Sequence, residues 1–345
     1  FDQFFGISAS LNMPPFAFIE GDHFTQAPTV TKKWVRSGPA APDFEAVDVL
    51  PTLTRKAAEF IAGHAADAKS GKPFFLYLAL TSPHTPLVPT PEWQGKSALG
   101  PYGDFVMQTD WSAGQVFKAI DDAGLAENTL VIFTSDNGCA PYIGVAKLEK
   151  QGHYPSAQFR GYKSDIWDGG HRIPFITRWP THIKANSHSD QLICLTDLIR
   201  TCSELLGQKL PEDAGEDSVN ILPALLGEDK APLREAVIHH SINGKFAIRQ
   251  GDWKLELCAG SGGWGNPGDA AAKKKGLPPV QLYNMTTDVA ESSNVLSANA
   301  QVVERLTKLL QKYVADGRST PGPPQKNDVA VDIFKQPTTA PAPGD

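Results

Sequence analysis

Apolar residues along this chain fall into runs and repeats that predict alternating strands and helices. Residues 74–80, FFLYLAL, form an unbroken apolar run, and VIFT at Val131–Thr134 is a second. Such runs are what strands buried on both faces of a sheet require. Residues 52–63 place Leu53, Ala57, Phe60 and Ile61 at helical period, and 103–123 predict another helix closed near Gly124. IPFITRW at 173–179 is a third strand candidate. LICLTDLIRTCSELL at 192–206 is an amphipathic helix with Gly207 as its stop. Strand, loop, helix and strand in that order argue for βαβ connections and a largely parallel sheet. Residues 1–50 are rich in proline and aromatics and show little periodicity.

From about residue 233 the texture changes. Residues 236–240, 245–249, 253–257 and 281–283 are short strand candidates, the first three at hairpin spacing, and 302–314 is an amphipathic helix. The expected organisation is therefore an α/β domain over 1–232, an antiparallel β subdomain with a terminal helix over 233–318, and a proline-rich, disordered tail over 319–345. The segment GSGGWGNPG at 260–268 reads as a flexible loop.

Composition narrows the function classes. The chain has 345 residues, 41% hydrophobic and 20% charged, with a net charge of −6. Its basic residues do not cluster beyond Lys273, Lys274 and Lys275, so nucleic acid is not an expected partner. No apolar run approaches the roughly 20 residues of a membrane span. The four cysteines, Cys139, Cys194, Cys202 and Cys258, form no C-x-x-C pair. Cys194 and Cys202 fall on one predicted helix, more than two turns apart and too far to bridge. The opening FDQFFG reads as the interior of a longer protein, so a fragment or processed form is expected.

Three polar clusters fall at or near the ends of strand candidates, and open α/β sheets bind ligands just beyond their carboxyl edge. The first is Pro83-His84-Thr85-Pro86, either a proline-stiffened loop or an imidazole held over a sheet edge to bind an anion or protonate a leaving oxygen. The second is Asp136-Asn137-Gly138, either a turn or a carboxylate and an amide oxygen offered to a hard cation. The third, RGYKSDIWDGGHRIP at 160–174, sets Lys163, Asp165, Asp168, His171 and Arg172 among glycines. It is either a solvated turn or a close-packed anion site with Lys163 as a point charge. Together they suggest metal-assisted hydrolysis at a tetrahedral oxyanion.

PFFLYLALTSPHTP at 73–86, VIFTSDNG at 131–138 and GYKSDIWDGGHRIP at 161–174, in that order, resemble the formylglycine-dependent sulfatases of the alkaline-phosphatase-like superfamily. FDQFFGI at 1–7 and QLYNMTTDVAESSN at 281–294 are similar to further segments of that family. The resemblance implies an alkaline-phosphatase-like α/β fold and a sulfuric ester hydrolase of arylsulfatase type, acting on a sulfated small molecule or glycan. It implies Asp136 and Asn137 as Ca²⁺ ligands, with Mg²⁺ less favoured. It implies His84 and Lys163 as catalytic, sulfate-binding residues, structural roles for Asp168 and Arg172, and a periplasmic or secreted location. Departures accompany it. No cysteine lies in the C/S-x-P/A-x-R context from which formylglycine is made; CAPYI at 139–143 lacks the arginine. The family's N-terminal aspartate pair and its G-K-W-H-like segment are also missing. An N-terminally truncated sulfatase is the expectation, with the nucleophile upstream and the chain alone inactive. A phosphoesterase or phosphonate hydrolase of the same superfamily, or an inactive fragment, are the alternatives. Trp34, Trp93, Trp111, Trp167, Trp253 and Trp264 are candidate sugar-stacking residues or core.

Overall fold

A computed structural model of the protein describes residues 1–335. The chain divides into two compact units. The first is Phe1–Leu130 with Ala146–Gln151; the second is Val131–Val145 with the chain from Gly152 on.

In the first unit, the segment read as irregular carries five short strands. β1 (Phe5–Ile7), β2 (Phe18–Glu20) and β3 (His23–Phe24) form one antiparallel sheet, and β4 (Val30–Trp34) pairs with β5 (Arg36–Ala40) in another. Strands this short leave no periodic signal. What holds them is an aromatic cluster in which the Phe16 and Trp34 rings meet edge to face at 4.9 Å and Phe18 lies 5.3 Å from Phe44. Helix α1 (Val49–Lys69) starts earlier and runs longer than expected, because Pro51 sits in its first turn, where no backbone donor is needed, and its last turns are alanine-rich. Val49, Leu50, Leu53, Ala57 and Ile61 form its buried stripe. Helix α2 (Pro101–Asp122) opens on proline at its first position and buries Phe105, Ala113, Val116 and Ile120.

The run 74–80 is a correction. Its even-numbered residues are half-buried and its odd-numbered ones, among them Phe75 and Tyr77, are exposed. The backbone is extended but joins no ladder among the described residues. Apolar content predicts an extended segment; it does not supply the partner strand that a ladder needs.

In the second unit, β6 (Val131–Thr134) forms as expected and pairs with β7 (Phe175–Arg178), register Val131 to Arg178 and Thr134 to Phe175. The pairing is antiparallel, where a largely parallel sheet was expected. An apolar run carries no direction, and the long segment between the two strands reverses the chain. Among the described residues the strand ladders are all antiparallel, and a parallel contact occurs as the single bridge Phe16–Ala40. The α/β class stands.

The helix predicted over 192–206 begins only at Leu198 and ends at Leu205. The Asp197 carboxylate accepts from Cys194 N (2.8 Å) and Val219 N (3.0 Å) and pairs with Arg234 (3.1 Å), which holds Cys194 extended ahead of the helix. Cys194 and Cys202 therefore do not share a helix, and all four cysteines are free thiols.

The antiparallel sheet expected from 233 is present, in the order β11 (Gln281–Asn284), β10 (Trp253–Glu256), β9 (Phe246–Gln250), β8 (Val237–His240). The helix Ala300–Asp316 covers it, burying Leu306 and Leu310 against Ile248, Leu255 and Leu282. Of the tail expected to be disordered, the described part lies along this helix. Gln325 N donates to Asp316 O at 2.7 Å, and Ile333 enters the same core. Residues 336–345 lie outside the described residues. No helix among the described residues is long and apolar enough to cross a membrane.

Candidate active site

The second polar cluster leaves the C-terminal end of β6. Asp136 is exposed and Asn137 half-buried. Asn137 Nδ2 donates to Gly138 O at 3.2 Å, which assigns the amide nitrogen and leaves Oδ1 as an acceptor. Two backbone bonds then stitch this loop to the third cluster: Gly138 N to Gly170 O (3.1 Å) and Lys163 N to Cys139 O (2.8 Å). So Asp136, Asn137 and Lys163, separated by 26 residues or more in sequence, stand on adjoining loops. The contact tolerates only glycine. A Cβ on Gly138 would lie 1.9 Å from Gly169 O, and one on Gly169 would lie 2.1 Å from Gly161 O. Gly138→Ala is therefore expected to destabilise the protein by about 1–3 kcal/mol or more, since overpacking of a closed contact must shift backbone. Urea unfolding checks this, and an unchanged midpoint would show the loops are not seated as described.

Lys163 is half-buried, and among the described residues no hydrogen bond or ion pair engages its ammonium. Its successor Ser164 has φ 84°, an uncommon conformation for a side chain with a Cβ. The strain is held from three directions. Ile242 N donates to Ser164 O (3.0 Å), Trp264 N to Ser164 Oγ (3.0 Å), and Asp165 Oδ1 and Oδ2 accept from Gly265 N (2.7 Å) and Tyr162 N (3.0 Å). Burial pushes the Asp165 carboxyl above its ordinary range, against the pull of these backbone donors. A cation on so heavily supported a turn is preorganised for an anion.

His84 belongs to the first unit. Its Nδ1 lies 2.7 Å from Thr85 O, and a carbonyl only accepts, so Nδ1 carries a proton. Helix α2 supports this loop. Gln108 Oε1 accepts from Thr90 N at 2.9 Å, and Thr109 Oγ1 lies 2.8 Å from Ser82 Oγ.

Asp168 is buried beneath the third cluster, with Oδ1 2.8 Å from Lys254 Nζ and Oδ2 3.8 Å from both Arg172 and Arg249. Lys254 also lies 2.6 Å from Glu291 and 3.2 Å from Glu256, all fully buried. Burial works against the Asp168 charge, but the Lys254 cation beside it wins and holds its carboxyl below the ordinary range. Burial carries the Glu256 carboxyl well above its range despite Lys254. His171 and His239 pack ring to ring at 4.3 Å. Burial, then the Lys254 charge, lowers His171 to about 4 and His239 well below its usual value. Sequence reading missed Lys254, Glu256 and Glu291. The available signal was W-K-L-E-L at 253–257, where opposite charges two apart share one face of an otherwise apolar strand.

Two oxygen donors of the kind that Ca²⁺ takes are thus together at Asp136 and Asn137, one carboxylate and one amide, and hard-cation chemistry fits both. Among the described residues no group of three or more His, Cys, Asp or Glu side chains is placed to hold a metal ion.

The family model for sulfatases matches residues 17–208. An N-acetylgalactosamine-6-O-sulfatase of Bacteroides thetaiotaomicron is 35% identical over 288 residues, covering 81% of this chain and 53% of its own length. Human arylsulfatase A is 32% identical over 312 residues, covering 85% of this chain and 60% of its own length. Among solved structures, one from work on the metabolism of multiple glycosaminoglycans by Bacteroides thetaiotaomicron superposes with a TM-score of 0.76 at 29% identity, covering 90% of this chain and 72% of that one. Ps i-CgsB in complex with k-i-k-neocarrahexaose gives 0.62 at 25% identity, covering 80% and 57%. The fold is that of the α/β, alkaline-phosphatase-like hydrolases. The chain belongs to the sulfatase family. It spans about half the length of the curated relatives it matches, 53% and 60% of the two above.

Proposed function

We propose that this chain contributes one part of the active site of a sulfuric ester hydrolase acting on an aryl or, by preference, a carbohydrate sulfate. The observation that carries the reading is the half-buried ammonium of Lys163, unpaired among the described residues, on a strained turn bonded to the Asp136–Asn137 loop. Two relatives support the carbohydrate preference, one named for N-acetylgalactosamine 6-O-sulfate and one solved with a neocarrahexaose.

In this reading Lys163 binds a sulfate oxygen and offsets the charge that builds on the ester oxygen as it leaves. His84, protonated at Nε2, donates to a sulfate oxygen or delivers that proton to the leaving oxygen. Asp136 and Asn137 hold Ca²⁺ together with further oxygen ligands outside this set; when bound, the ion supplies electrostatic stabilisation of the sulfate oxyanion. Mg²⁺ is the less suited ion, because its tight octahedron demands more ordered ligands. The nucleophile, a formylglycine, is assigned to sequence outside these 345 residues, and the 345-residue chain alone is accordingly expected to be inactive. A periplasmic or secreted location belongs to the same proposal.

The test is sulfate release by the Ca²⁺-loaded native protein that carries this chain, its nucleophile modified, from a chromogenic aryl sulfate and from sulfated monosaccharides. Release from either class is the expected result. No release from any ester would overturn the reading. Faster turnover of matched phosphate esters would move it to a phosphoesterase. Turnover by residues 1–345 alone would overturn the placing of the nucleophile.

A further inference from the structure

The glycine-rich segment 260–268, which sequence suggests is flexible, is built into the second unit through its own backbone. Asp269 Oδ1 accepts from Gly260 N (3.0 Å) and Gly262 N (3.3 Å), Ser261 N donates to Pro267 O (2.9 Å), and Gln281 Nε2 donates to Gly260 O (2.9 Å). Ser241 Oγ and Asn243 Nδ2 both donate to Gly262 O, at 2.6 and 3.0 Å. A Cβ on Gly263 would lie 2.3 Å from Ser164 O, so the segment lies directly on the Lys163 turn.

One side chain on this support is large and points outward. Trp264 is 49% exposed, although its N donates to Ser164 Oγ at 3.0 Å. Its ring lies 6.1 Å from that of Tyr142, centroid to centroid, with the planes tilted by 50°. Tyr142 is itself 51% exposed, on the short 3-10 turn Pro141–Ile143. It follows Cys139, whose carbonyl accepts from Lys163 N at 2.8 Å. Trp264 is thus tied through its backbone to Ser164, next to Lys163, and Tyr142 lies three residues beyond the carbonyl that holds Lys163 N. Two large aromatic side chains exposed side by side form an apolar patch, and patches mark binding surfaces where single exposed residues do not.

We propose that Trp264 and Tyr142 form the sugar-stacking subsite of this protein, receiving the pyranose ring whose sulfate meets Lys163. The inference rests on the sulfatase reading and adds the residues that select the substrate class. At 6.1 Å the two rings touch and leave no gap between them, so together they offer one bent apolar surface. The C–H face of a pyranose stacks on such a surface, and the second ring extends it along the sugar, farther than a small aryl sulfate reaches. Asn243 and Ser164 are bonded to the same segment, at Gly262 O and Trp264 N, and supply polar groups near it for a sugar's hydroxyls.

The test compares native protein with Trp264→Ala and Trp264→Phe on a 6-sulfated N-acetylhexosamine and on a small aryl sulfate. Loss of one stacking face is expected to lower kcat/KM on the sugar sulfate by about tenfold, mainly through KM, and to lower it less on the aryl sulfate; Phe restores most of the loss. Saturation-transfer NMR with the desulfated sugar supplies a readout independent of turnover, with the ring C–H protons expected to receive saturation in the native protein and not in Trp264→Ala. Equal losses on both substrates, or no loss on the sugar, overturn the subsite while leaving the sulfatase reading intact. Sugar contact at Trp264 without hydrolysis of any sulfate overturns the sulfatase reading and keeps the subsite.

Discussion

Replacing Lys254 by methionine is expected to unfold the second unit under mild conditions. The side chain is fully buried and is held by Asp168 at 2.8 Å, Glu291 at 2.6 Å and the carbonyl of Ile166 at 3.1 Å. Methionine keeps the volume but removes the charge, so Glu291 and Glu256 lose their cation and Asp168 keeps only Arg172 and Arg249, both at 3.8 Å. Removing one partner of a buried pair costs about 3–5 kcal/mol. Native proteins are stable by only about 5–15 kcal/mol. Urea denaturation followed by tryptophan fluorescence would measure the loss, and a cost below about 1 kcal/mol would show that the cluster is not the clamp described. Glu256→Gln tests the same cluster with the opposite sign. The folded carboxyl has a raised pKa, so it favours folding most below the unfolded value near 4.5 and loses that advantage as pH rises. A neutral amide escapes this penalty, so the variant is expected to be the more stable one at pH 7–8.

The histidines set the acid side. His171 titrates at about 4 in the folded protein and near 6.5 when unfolded, and His239 is also depressed. Below about pH 6.5 the unfolded chain takes up protons that the folded one refuses, so stability falls as pH drops towards 4, by up to about 1.4 kcal/mol per unit for each ring.

How much of this was legible in sequence depended on whether the information was local. Val131–Thr134 and the hairpins from 237 to 256 were readable because apolar runs and turn residues lie next to each other in the chain. The same reasoning could not give strand direction, since VIFT and FITR look alike whichever way they pair. The proximity of the Asp136 and Lys163 loops was suggested by motif order. What makes it physical is a glycine-on-glycine contact at Gly138 and Gly169, for which a turn dipeptide gives no hint. Lys254 was invisible because a lysine in a strand is ordinarily read as a solvent-facing residue. Its function is set by carboxylates 86 and 37 residues away, on Asp168 and Glu291. Of the aromatic pair, Trp264 was legible as one of six candidate stacking tryptophans, while nothing in the sequence set Tyr142 beside it.

Lys163→Ala separates catalysis from stability, and it is the largest effect expected on activity. Unlike Lys254, Lys163 has no ion pair or hydrogen bond through its ammonium among the described residues, so truncation leaves no buried partner unsatisfied. The folding cost is expected to stay within about 0.5 kcal/mol, the range of substitutions that break no contact. In the proposed site, by contrast, the ammonium would face charge that develops only as the sulfate ester breaks. Removing one preorganised donor of that kind lowers kcat by about 10²–10³, some 2.7–4 kcal/mol of transition-state stabilisation. Because a bound sulfate also contacts the ammonium, inhibition by inorganic sulfate should weaken in parallel. Arginine is expected to recover binding better than turnover. Its planar fork can pair two sulfate oxygens but cannot present a compact charge at the leaving oxygen. A variant that folds normally, yet retains native kcat/KM and native sulfate inhibition, would remove Lys163 from the site. The strained Ser164 turn would then need another explanation, since backbone held at φ 84° by two separate segments, at Ile242 and Trp264, is hard to account for on a loop with nothing to position.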